Sequence, residues 1–254
     1  MKVLSSGTYK GVRSYNADII GLLDDMYYVC DGSTAVFDDN KFFDTGDLLE
    51  YMRLLNKNIK NESDIKSDLK KAIRLSNQYL VGMEKYHEYE LPTYTIAVVK
   101  DLGVMIEYYI LCDTLISILY KDGHVENIQD RRIDSVKDFC RAKRREILAN
   151  TNLSEDERMK LLLENEQVTR MKANAEDGFP VGSTKEDSID LGFIGIIDKS
   201  KVDRILICSD GYYDSEDVMP STVEDFELSY VENRVQEILS HDKRDDMTYI
   251  LLEV

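Results

Sequence analysis

The sequence predicts an α+β fold built on antiparallel sheets, and three observations carry that prediction. Apolar segments of strand length come in runs, with amphipathic segments of helical period paired between them, instead of the strict strand-helix alternation of a parallel sheet. Connectors within the strand runs are only a few residues long, which antiparallel neighbours allow and parallel ones do not. Finally, "MYYVCDGS" (Met26 to Ser33), "YYILCDTL" (Tyr108 to Leu115) and "RILICSDGYYD" (Arg204 to Asp214) each place a Cys and then an Asp where an apolar strand leaves the core. Asp-Gly is a common turn pair, since Gly supplies positive φ and Asp bonds its own backbone. A turn explains one such site; three similar ones ask for another reason.

After the first strands, Asp47 to Ile59 carries Leu48, Met52, Leu55 and Ile59 at helical spacing, followed by a second stripe, Ile65, Leu69, Ala72, Ile73 and Leu80. These are expected to be two helices covering a sheet. "TYTIAVV" (Thr93 to Val99), "VMIEYYIL" (Val104 to Leu111) and "LISILY" (Leu115 to Tyr120) read as consecutive strands, and the short connectors Lys100 to Gly103 and Cys112 to Thr114 predict an antiparallel meander. From Asp134 to Ala175 the period is helical again. Val136, Phe139, Cys140, Ile147 and Leu148 make one stripe, and Ser154 with Glu157 forms a capping box opening a helix that carries Met159, Leu162 and Leu163. Arg131, Arg132, Lys137, Arg141, Lys143, Arg144 and Arg145 give this region a basic face, read as solvated. The glycine-proline loop "EDGFPVGSTKED" precedes strands "GFIGIID" and "RILIC". Ser221 with Glu224 signals another capping box, Leu228, Val231, Val235, Ile238 and Leu239 line the last helix, and "MTYILLEV" closes as a strand. With no linker and no low-complexity tract, residues 1–254 are expected to form one domain, with a variable helical and flap insertion around 129–190.

Composition narrows the function. Hydrophobic residues at 43% and charged residues at 32% suit a globular chain. No apolar run approaches the roughly 20 residues that span a bilayer, and the opening "MKVLSSGTYKG" lacks a signal-peptide apolar region, so no membrane association and a cytoplasmic location are expected. Cys30, Cys112, Cys140 and Cys208 lack metal-site spacing and read as buried, reduced thiols. A net charge of −17 argues against nucleic-acid binding, which needs a basic surface. With only three histidines, any metal would be held by oxygen, which favours Mg²⁺, Mn²⁺ or Ca²⁺ over zinc.

"KRDDMTYI" adds Asp245 and Asp246 before the final strand. If Asp31, Asp113, Asp210 and Asp245 converge at one sheet edge, each carboxylate raises the pKa of its neighbours, and bound cations would remove that penalty. Gly32 and Gly211 would let backbone come close to an ion, with a carbonyl as ligand.

In this order, "VRSYNAD" (Val12 to Asp18), "VCDGST" (Val29 to Thr34), "TYTIAVV", "LCDTLISILYKDG" (Leu111 to Gly123), "ILICSDGYYD" and "RDDMTYI" resemble the successive motifs of the metal-dependent serine/threonine protein phosphatases, type 2C, and the bacterial members most closely in length. The resemblance runs from about Arg13 to Thr248. It implies a four-layer α-β-β-α sandwich of two antiparallel sheets flanked by helix pairs, with a dinuclear Mn²⁺ or Mg²⁺ site at the sandwich edge. It further implies that Asp31 bridges both ions, Gly32 offers its carbonyl to the second, and Asp210 and Asp245 complete the first. Asp113 matches a ligand of a third ion, Arg13 a phosphate-binding arginine, and Asp18 an acid that orients metal-coordinated water. The substrate would be phosphoserine or phosphothreonine in a protein, and the enzyme a monomer. Two divalent ions suit that chemistry because they activate water and neutralise phosphoryl oxygens, while a planar guanidinium binds phosphate bidentately.

The chain departs from the family pattern in several places. Ala17 stands where Glu or Gln is usual, Ser33-Thr34-Ala35 replace a glycine-rich stretch, and Ser33 occupies the place of a histidine used by some members as general acid. Cys112 precedes Asp113 where glycine is usual, and Asp246 follows Asp245 where asparagine is usual. These changes leave an alternative: a weakly active or inactive phosphatase-fold module that binds phosphoproteins or regulates a partner. An aspartyl-nucleophile phosphatase is disfavoured, because that class needs Asp-x-Asp after an early strand and the chain offers Asp31-Gly32-Ser33.

Overall fold

A computed structural model describes residues 1–12, 14–33, 45–80, 86–213, 219–242 and 244–254, without the side chains of 45–47. Arg13, Thr34 and Ala35 therefore lie outside the described residues. In chain order the elements are β1 (Lys2–Tyr9), β2 (Ile19–Leu23), β3 (Met26–Gly32), α1 (Thr45–Asn58), α2 (Ile65–Asn77), β4 (Thr93–Asp101), β5 (Met105–Leu111), β6 (Leu115–Tyr120), β7 (Val125–Gln129), α3 (Asp134–Ala149), α4 (Glu155–Met171), β8 (Gly182–Ser183), β9 (Phe193–Asp198), β10 (Val202–Cys208), α5 (Leu228–Leu239) and β11 (Met247–Glu253).

The strands form two sheets, ordered β1-β11-β10-β6-β7 and β2-β3-β4-β5-β9, with β8 added to β4. Every ladder is antiparallel. Their inner faces meet through Val29, Ala97, Val99, Ile110, Ile116, Ile118, Ile205, Ile207 and Ile250, all fully buried. The strand β3 is apolar from Met26 to Cys30 because its other face is also covered. Tyr28 and Cys30 pack beneath Leu48, Met52 and Leu55 of α1 and Leu69 and Ile73 of α2. On the opposite side Val231, Val235 and Ile238 of α5 lie on Leu115, Leu206 and Leu251. The result is the α-β-β-α sandwich; its second outer layer is α5 with the short turn Glu224–Phe226, while α3 and α4 form a hairpin beside the sheets. No helix among the described residues is long and apolar enough to cross a membrane.

Four expectations change. The meander stops after β5, because β6 pairs with β10 and β7 in the other sheet. Cys112 adopts φ 65°, and this left-handed residue swings the chain from one sheet to the other. The α3 stripe is narrower than its apolar residues suggest: Cys140 and Ile147 are buried, whereas Phe139 and Leu148 are exposed, as is Met159 on α4. The basic face is not all solvated, since Lys137 reaches a buried acid cluster. Ser221 and Glu224 do not form a capping box, and α5 itself starts after Glu227 with no side-chain cap. Instead Asp225 accepts the Ser221 and Thr222 amides at 2.8 Å each. The Ser154–Glu157 capping box does form on α4, with the Ser154 amide 2.9 Å from Glu157 Oε2. All four cysteines are buried and free.

Candidate active site

Strand ends place the acids. Asp31 is the penultimate residue of β3, Asp210 opens a short turn just after β10, Asp245 precedes β11, and Asp18 precedes β2. Asp113 sits at the corner between β5 and β6, and the corner is built to hold it. The buried Asp130 accepts the Cys112 amide at 3.2 Å and is itself clamped by the Arg132 guanidinium at 2.8 and 2.6 Å. Gln129 Nε2, at 3.2 Å, and the Tyr213 hydroxyl both donate to the Asp113 carbonyl. The backbone is thus fixed while the carboxylate remains for the cleft.

Among the described residues, the cavity around Asp31 is lined by more acids than bases. Asp31 is held well above the usual carboxylate range, first by burial and then by the charges of Asp18, Asp210, Asp113 and Asp245. Asp18, 6% exposed, is pushed up to about 7, chiefly by burial, with Asp246 and Asp210 adding to it. Its Oδ2 accepts the Ser209 hydroxyl at 2.8 Å, and Ser209 Oγ in turn accepts the Thr248 amide at 2.9 Å. No hydrogen bond of good geometry reaches the buried Oδ1 of Asp18, although the Thr248 hydroxyl lies close enough to act with Ser209 in opposing the rise. Asp210 is raised by burial, against the lowering effect of Lys137. That lysine, from the first turn of α3, pairs with Asp113 and lies 3.3 Å from Asp210 Oδ2.

The adjacent pair near β11 divides its work. Asp246 is 3% exposed and accepts the amides of Gly11 at 2.7 Å and Ala17 at 2.9 Å, so it holds the amino-terminal segment against β11. Asp245 is exposed and lines the cleft. Close backbone approach accounts for both motif glycines. A Cβ on Gly211 would lie 1.9 Å from the Asp246 carbonyl oxygen, and one on Gly32 2.9 Å from the Ala17 carbonyl. Ala17 fits for the same reason, because its methyl group is packed 3.0 Å from that Gly32 position.

Two cavities share the acid cluster. One, about 460 Å³, is lined by Asp31, Gly32, Ser33, Asp113, Asp210 and Asp245; the other, about 410 Å³, adds Arg131, Arg141, Arg234 and Arg244 to Asp113, Asp210 and Asp245. Among the described residues no group of three or more His, Cys, Asp or Glu side chains is already disposed to hold an ion. The donor set nevertheless fits a hard divalent cation: all-oxygen ligands, carboxyls raised by burial and then by their neighbours' charges, and a buried Asp18 oxygen with no geometric hydrogen bond. Sequence reasoning missed two residues here. Lys137 was hidden among other basic residues of one helix, and Arg170 of α4 is buried in the cleft wall. Arg170 donates to Thr93 Oγ1, and burial lowers its pKa to about 10.

A carboxylate-lined cleft at the edge of an α-β-β-α sandwich places the chain in the fold of the type 2C, or PPM, serine/threonine phosphatases. No family model and no curated protein matches its sequence. Among solved structures it is similar to the serine/threonine phosphatase Stp1 from Staphylococcus aureus, with a TM-score of 0.58 at 15% identity over 100% of this chain and 96% of that one. It is also similar to the PPM Ser-Thr phosphatase MsPP from Mycobacterium smegmatis in complex with cacodylate, at 0.58, 16% identity and full coverage of both chains. A third, the catalytic domain of the phosphatase PstP in complex with two manganese ions, gives 0.55 at 15% identity over 98% of this chain and 96% of that one. At these identities the likeness is one of fold.

Proposed function

We propose that the protein is a divalent-metal-dependent phosphatase that hydrolyses phosphoserine and phosphothreonine in proteins. The observation that carries this reading is the convergence of Asp18, Asp31, Asp113, Asp210 and Asp245, from five separate segments, on a cleft where, among the described residues, only Lys137 and Arg170 bring positive charge to the cavity that Asp31 lines. Asp31, the Gly32 carbonyl, Asp210 and Asp245 would hold two Mn²⁺ or Mg²⁺ ions. Bound there, the ions lower the pKa of water and neutralise phosphoryl oxygens. Asp18 Oδ1 then offers a proton acceptor and orienting partner for a water beside Asp31, while the Ser209 hydroxyl fixes Oδ2. Arg141 and Arg244 rim the second cavity beside the Arg131–Asp134 and Arg234–Glu237 pairs, where they offer positive charge to an anionic peptide. The cation-bound PstP and cacodylate-bound MsPP structures support the reading by analogy of fold. No covalent nucleophile is required.

One observation favours the weakly active phosphoprotein-binding alternative: Ala17 brings no polar side chain to the cleft and is packed against Gly32. A single assay separates the two. Chelator-stripped protein is given a phosphothreonine peptide with and without Mn²⁺, beside Asp210→Asn. Hydrolysis that needs Mn²⁺ and falls by about a hundredfold or more in the variant is expected. A folded wild type inactive at every Mn²⁺ concentration would leave the binding module.

A further inference from the structure

Among the described residues, the acid cluster contains one ammonium group, that of Lys137. Lys137 Nζ sits between Asp113 Oδ2 and Asp210 Oδ2, with the Lys137 side chain 26% exposed and that of Asp113 10%. The partners are fixed from behind. The Asp113 carbonyl takes hydrogen bonds from Gln129 and Tyr213, and Lys137 lies in the first turn of α3, just after the Asp130–Arg132 clamp. The lysine is therefore delivered by a braced helix start to a braced corner. Between two carboxylates, an ammonium also leaves no room for a divalent ion at the same point, since like charges at contact distance repel strongly away from bulk water.

We infer that Lys137 is a built-in monovalent cation of the Asp113–Asp210 corner, standing where an additional divalent ion would otherwise bind and limiting the site to two. The inference rests on the metal-dependent reading above and extends it to the protein's own side chain. Asp113 serves as the counter-ion of Lys137 and not as a metal ligand. Asp210 is shared: Oδ2 faces the lysine, and Oδ1 remains for an ion. The arrangement also ties the α3–α4 hairpin to the cleft by a charge pair.

The test counts ions. Mn²⁺ is titrated into the chelator-stripped full chain, followed by calorimetry, with native mass spectrometry giving the number bound. Two ions are expected for wild type and for Lys137→Arg, and a third for Lys137→Met. Asp113→Asn in the wild-type background keeps two ions, because the carboxylate it removes holds none; in the Lys137→Met background it abolishes the third. A wild type that takes three ions, a folded Lys137→Met that takes only two, or an Asp113→Asn that loses one would each overturn the inference while leaving the metal-dependent reading intact. A wild type that binds no Mn²⁺ would overturn both.

Discussion

Removing the Asp18 charge should stabilise the protein when no metal is present. In the chelated state this carboxyl is protonated with a midpoint near 7 in place of the ordinary 3.8. At about 1.4 kcal/mol per decade, ionising it in the folded protein costs about 4 kcal/mol. The sign follows from proton counting. Between pH 3.8 and about 7 the folded chain holds more of this proton than the unfolded chain, so wild-type stability falls as pH rises through that window and stays low above it. Asp18→Asn removes the ionisation, keeps an oxygen for the Ser209 hydroxyl, and turns an amide toward neighbouring carboxylates. Urea unfolding in chelator should show the variant more stable than wild type by about 2–4 kcal/mol at pH 8, with the gain shrinking toward zero near pH 4. Equal stability at pH 8, or a gain that does not vary with pH, would refute the account of Asp18 as a buried acid without a cation. With Mn²⁺ present the same substitution should slow phosphopeptide hydrolysis, so stability and activity move in opposite directions.

Other substitutions test the parts separately. Asp246→Ala strands the buried amides of Gly11 and Ala17 and should cost about 2–6 kcal/mol in urea unfolding, from about 1–3 kcal/mol for each unsatisfied group. Gly211→Ala drives a methyl group against the Asp246 carbonyl oxygen and displaces the turn that carries Asp210. Mn²⁺ affinity measured by calorimetry should weaken about tenfold or more. Arg141→Glu should raise KM for phosphopeptides with acidic flanks by about two- to fivefold, an exposed-charge effect that fades with salt, while leaving hydrolysis of a small aryl phosphate unchanged.

The helices α1 and α2 were legible from one apolar stripe at helical spacing, and the strands β3, β4, β6 and β10, with the acids at their ends, because burial on both faces leaves an apolar run whose exit is marked by polar residues. What the sequence hid was direction. Nothing in Cys112 announces positive φ as a glycine or asparagine would, so the change of sheet at Asp113 looked like a hairpin. The polar stretch "VENIQ" conceals β7, whose pairing comes from β6 and not from its own residues. Spacing also fails to choose between Asp245 and Asp246, since only the hydrogen bonds from Gly11 and Ala17 show which acid is structural. Lys137 is a surface residue by helical period, and only the proximity of α3 to the β5–β6 corner turns it inward. Phe139 and Leu148 reverse that lesson: apolar by type, they lie on the outside of a hairpin with little core to cover.

The five acids stand at positions 18, 31, 113, 210 and 245, so no local segment of the unfolded chain brings them together. Their convergence requires both sheets to have docked and β11 to have entered between β1 and β10. Long-range closure of that kind comes late in folding, and here the last step also gathers like charges. An ion that binds the finished cleft has no comparable site in the unfolded chain, so it should act mainly on the rate of unfolding and leave early folding steps unchanged. The metal would then serve as a latch on the completed sandwich, and chelation would shorten the lifetime of the folded state before it altered its shape.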